Sequence, residues 1–179
     1  MVYHLVYHHS LGIHINHLIF LHTYLLGLFL ALTQIPYLAL VVSLLYIVYI
    51  FILTRRALLI GAVYATFIGL LTLLTYQVSY AVTANNELPW LYGLTIALCS
   101  LLLQIVGHKM YEDLQAPANV LHGFLAAPPL EFTALVMRIV AVDKLPPSLV
   151  GVWSEVERVR SDALAQGGVQ GLTDDGLRI

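Results

Sequence analysis

Apolar residues in this chain run in long blocks broken by brief polar stretches, unlike the short alternations of half-buried strands or the narrow stripes of soluble helices. A helix needs about 20 predominantly apolar residues to cross a bilayer. Four blocks approach that length: Ile15 to Thr33, closed by Gln34, Ile35 and Pro36; Tyr37 to Leu53, stopped at Thr54, Arg55 and Arg56; Ala57 to Val82; and Pro89 to Tyr111. The break between the third and fourth, Thr83 to Glu87, is a polar turn, and Pro89 suits the first turn of the helix that follows.

A fifth block, Ala118 to Val142, is interrupted by Pro128 and Pro129 and carries Glu131 and Arg138. Consecutive prolines remove backbone donors, so this stretch is expected to be a broken or re-entrant element packed against the bundle. From Asp143 the residues become charged and small, with a short surface helix expected between Pro146 and Gln166. The predicted fold is therefore all-α: an integral membrane helical bundle of four transmembrane helices plus a Pro-broken or re-entrant apolar segment over residues 1–142, then a polar C-terminal tail over 143–179 suited to a protein partner.

Composition agrees with a membrane class: 60% of the residues are hydrophobic and 10% charged, against roughly 25% charged in soluble domains. The net charge of −2, with no basic stripe, excludes nucleic acid as a partner. Cys99 lies in an apolar run and reads as a buried structural thiol. The opening MVYHLVYHH lacks the basic stretch of a cleavable signal peptide, so none is expected. With four spans, all eight Lys and Arg residues fall on one side, which the positive-inside rule makes cytosolic or, in a mitochondrion, the matrix side; both termini lie there. No span interior carries the charges that mark an ion path, which disfavours a transporter or channel.

The candidate chemistry lies in histidine. Six of the eight histidines, His4, His8, His9, His14, His17 and His22, fall in the first 22 residues; His108 and His122 come much later. The four-span topology brings the early group and His108 to the same membrane edge. In GHKMYE, Gly107 to Glu112, His108 and Glu112 share a helical face, a spacing that lets an imidazole and a carboxylate bind one cation or pair with each other. Imidazole and carboxylate suit iron, zinc, copper or nickel. His4, His9 and His22 read as interfacial anchors, a role amphipathic rings commonly take at the membrane edge.

Tyr7-His8, His17 nine residues later, and Gln104 to His108 with Glu112 and then Pro117-Ala118 together resemble the 2-hydroxy fatty acid (2-hydroxypalmitate) dioxygenase family of small multi-span membrane proteins. The resemblance spans about Tyr7 to Glu131, with motifs at both ends and matching hydropathy between. It implies an endoplasmic reticulum enzyme that uses ferrous iron, Fe2+, and oxygen to shorten 2-hydroxy fatty acids by one carbon in alpha-oxidation. Under it His8, His17 and His108 are metal ligands and Glu112 is the acidic catalytic position, with Tyr7 as a second catalytic candidate. His14 and His122 are further candidate ligands, and Lys109 is a candidate contact for the substrate carboxylate.

Ser10 and Ile13 stand where the family carries asparagines, and His14 lies next to the second of these positions. This departure motivates an alternative of a different class: a non-catalytic lipid-binding or structural subunit of a larger membrane complex, placed in the mitochondrial inner membrane.

Overall fold

In the computed structural model, residues 11–55, 58–111, 126–139 and 147–165 are described. They form six helices and, among the described residues, no strand: α1 Leu11–Leu32, α2 Leu38–Leu53, α3 Leu58–Ala84, α4 Pro89–Tyr111, α5 Ala127–Ile139 and α6 Pro147–Ala165. Three of them, α1, α3 and α4, are long and apolar enough to cross a membrane. The second expected span is helical to within a residue of its expected bounds but is short for a membrane crossing. Its helix, α2, has 16 residues and so rises roughly 24 Å, less than the ~30 Å hydrocarbon thickness. Tyr37, assigned to that span by its apolar character, is instead left-handed at φ 62° and lies before the helix.

The outer surface of the bundle is strongly apolar, and its largely apolar interior also encloses polar side chains. Buried polar side chains include Ser43, Thr72, Thr75, Ser100 and Gln104, while Leu44, Leu45, Leu59, Leu70, Leu73, Leu98 and Leu102 are exposed. Such a surface is stable in lipid tails, where exposed leucine costs nothing and a polar group needs an internal partner. Some of these polar groups pair between helices: Ser43 bonds Thr72 across α2 and α3 at 2.7 Å, and Thr33 bonds Ser79 across α1 and α3 at 2.8 Å.

Helix α1 packs most heavily on α4, and the two run antiparallel. Small residues make this crossing close. A Cβ on Gly27 would stand 2.6 Å from the Gly93 carbonyl oxygen and 2.7 Å from the Ala97 nitrogen, and one on Gly93 would stand 2.5 Å from the Ala31 nitrogen. Gly27 with Ala31 and Gly93 with Ala97 are thus two small-xxx-small pairs that let backbones touch. A second cluster, Leu25, Phe29, Tyr46, Ile50, Tyr64, Ile68 and Leu71, joins α1, α2 and α3.

The proline pair begins α5 instead of breaking it. Pro128 and Pro129 occupy its first turn, where missing N–H groups cost no helical hydrogen bond. At 13 residues α5 is too short to span, and it packs on α1 and α3. Helix α6 continues from the polar region but is not detached: its Leu149 and Val156 share an apolar cluster with Ala134 and Met137 of α5, flanked by Ile60 and Trp153. Its outer face carries Arg158 between Glu155 and Asp162, and the guanidinium beside Glu155 holds that carboxyl below the usual glutamate range.

Candidate functional site

The antiparallel crossing of α1 and α4 sets the first turns of one against the last turns of the other. At this end Gly12 lies under the ring of Tyr111, and Gly107 lies under the side chain of Asn16, whose Nδ2 donates to the Leu103 carbonyl at 3.3 Å. Any side chain at 107 would occupy the space of the Asn16 amide, since a Cβ there would fall 2.3 Å from Asn16 Cγ. The next residue on each helix brings His17 to His108, with ring centroids 4.7 Å apart in an edge-on arrangement.

His14 and His17 are three residues apart and lie on the buried face of α1, at 1% and 2% exposure. Helix α5 brings Glu131 to the same face, wholly buried at 0%. One carboxylate oxygen, Oε2, receives His14 Nδ1, and Oε1 lies 3.9 Å from His17 Nε2. His14 Nε2 is buried and has no hydrogen-bond partner among the described residues. Three imidazoles and one carboxylate from three helices therefore converge at one end of the bundle.

A buried carboxylate surrounded by apolar helices carries an uncompensated charge unless a proton or cation answers it. Two neighbouring imidazoles are able to do so either as an imidazolium or by sharing a metal ion. Imidazole and carboxylate are donor types that iron, zinc and copper accept, and His14 Nε2 is buried with no hydrogen-bond partner among the described residues. Among the described residues, though, no group of three or more His, Cys, Asp or Glu side chains stands in an arrangement that by itself holds an ion.

Of the residues expected from the sequence, His14, His17 and His108 come together. Lys109 is exposed on the last turn of α4. Tyr7, His8, Glu112 and His122 lie outside the described residues. His22 departs from its expected role as an interfacial anchor: it is buried, its Nδ1 meets the Leu18 carbonyl at 2.5 Å and its Nε2 meets the Tyr64 hydroxyl at 2.9 Å. Phe67 packs edge-on against its ring, and Phe132 of α5 packs on Tyr64.

Glu131 was not among the sequence candidates, yet it joins two of them. The signal that marks it is its isolation, as the sole acidic residue in the apolar block from Ala118 to Val142. A carboxylate retained in such a setting has a partner or a task. Comparison with family models, with curated proteins and with solved structures matches none of them.

Proposed function

We propose that this chain is a membrane-embedded, iron-dependent dioxygenase of 2-hydroxy fatty acids, releasing an acid shorter by one carbon. The observation that carries the proposal is the meeting of His14, His17, His108 and Glu131 at one buried end of the bundle. The resemblance of the histidine motifs to that enzyme family supplies the substrate class. His14, His17 and His108 would hold the metal, joined by His8 and His122 from outside the described residues, with Glu112 and Tyr7 as acid–base groups. Ferrous iron supplies one-electron chemistry with oxygen that no side chain here can perform.

The overall change balances with oxygen as oxidant: the 2-hydroxy acid and O2 give the shortened acid, CO2 and water. The chain's own residues have the tasks of binding and orientation. A fatty acid lying along the apolar helices would bring its polar head to the histidine end, where Lys109 is placed to attract a carboxylate from the aqueous edge. The buried walls of α1, α4 and α5 keep bulk water from the reacting end.

The same proposal takes α2 as a fourth crossing, upright and with the bilayer locally thinned around it, with both termini on the basic, cytosolic side of the endoplasmic reticulum membrane. The test is turnover. Purified protein reconstituted with ferrous iron, oxygen and a long-chain 2-hydroxy fatty acid should yield the acid shorter by one carbon, and His108→Ala should reduce the rate at least 100-fold. An iron-loaded wild-type chain that leaves the substrate unchanged would overturn the enzyme and favour the structural-subunit alternative.

A further inference from the structure

Helix α3 carries a polar side chain on its outer surface that its own helix does not satisfy. Threonines on the outside of the bundle are satisfied locally: the Thr66 hydroxyl donates to the Ala62 carbonyl and the Thr95 hydroxyl to the Leu91 carbonyl, both at 2.9 Å. Gln77 is exposed, and its amide makes no hydrogen bond among the described residues. The 27 residues of α3 rise ~40 Å, so with the helix centred on a ~30 Å hydrocarbon layer Gln77, roughly 10 Å from the end at Ala84, lies inside that layer. Helical side chains lean toward the N-terminus, which directs this amide away from the nearer boundary and deeper into lipid. A bare amide among lipid tails is costly, because nothing there can hydrogen-bond to it.

Gln77 also belongs to a continuous face. Ala62, Thr66, Gly69, Leu73, Gln77 and Tyr80 follow one another at steps of three and four residues along α3. All but Gly69 are exposed, and the Cβ direction of Gly69 meets nothing within 4 Å. We propose that this face is the interface between two copies of the chain, in which the Gln77 amides hydrogen-bond to each other. Two copies insert into a membrane with the same orientation, so joining them by the same face sets each residue at the depth of its own copy. An amide carries both a donor and an acceptor and is therefore complementary to itself, which makes a second copy the fitting occupant. Ala62 and Gly69, with no large side chain between the helices, let the two backbones approach. The inference is independent of the proposed activity.

The first test is association of the purified full-length chain in micelles, followed by sedimentation equilibrium over a range of protein-to-detergent ratios. The wild type should dimerise, and Gln77→Leu should weaken the dimer about 3–30-fold. Gly69→Leu, at a position open within the chain itself, should weaken it as well. A wild type that is monomeric at every ratio leaves the amide to lipid or to a different protein and overturns the proposal, as does a Gln77→Leu dimer as tight as the wild type.

The second test locates the face. In a Cys99→Ser background reconstituted in vesicles, oxidation should join chains carrying Leu73→Cys at least tenfold faster than chains carrying Leu74→Cys, which is exposed but lies off the stripe. Equal rates at the two positions overturn this face as the interface.

Discussion

A carboxylate enclosed in an apolar bundle needs polar partners, and the imidazoles of His14 and His17 on α1 lie beside Glu131. Not all buried histidines in this chain share that task. His22 lies further along α1, bonded to Tyr64 and wedged against Phe67, in a setting that ties α1 to α3. A double-mutant cycle of His22→Phe and Tyr64→Phe, followed by denaturation in mixed micelles, should give a coupling of about 0.6–1 kcal/mol. A coupling of zero would mean that the ring and hydroxyl do not bond. The spacing along the chain told which rings share a helix face but not what faces them. His22 therefore read as an anchor and Glu131 as an interruption, because Tyr64 and His14, the side chains they bond, are more than forty residues away.

At the level of elements, the apolar blocks gave helices nearly where expected, and α4 begins at Pro89 and ends at Tyr111 as its sequence pattern implied. The prolines of α5 illustrate what pattern alone misses: the same pair that breaks a helix interior is harmless in a first turn, and only the chain's path decides which applies. Helix association depends on the small residues. Gly27→Val would press new carbons onto Gly93 and Ala97 backbone that cannot rotate away, and should destabilise the bundle by about 1–3 kcal/mol. Gly69 has nothing within 4 Å of its Cβ direction, so Gly69→Ala should change stability by less than about 1 kcal/mol. Denaturation of both variants in the same micelles checks the contrast; equal effects would contradict close packing at Gly27.

At the scale of the molecule, the described helices present an apolar exterior and enclose a share of polar side chains, which suits a protein in lipid, and the sequence composition carried that much plainly. Cys99 is not buried as its apolar run suggested but exposed roughly midway along α4, and it offers a direct probe. In sealed vesicles a charged maleimide should leave it unlabelled and a small apolar one should reach it; rapid labelling by the charged reagent would contradict a spanning α4. Legibility fell off where helices meet. The histidine-rich start and His108 were visible as motifs, but their junction with α5 depends on how three helices cross, which side-chain periodicity does not encode. The central claim is that this junction holds iron, and metal analysis of the purified full-length chain tests it most directly. About one iron per chain is expected, lost on His108→Ala and on His14→Ala, whereas a folded wild-type chain that remains metal-free after exposure to ferrous iron would contradict it.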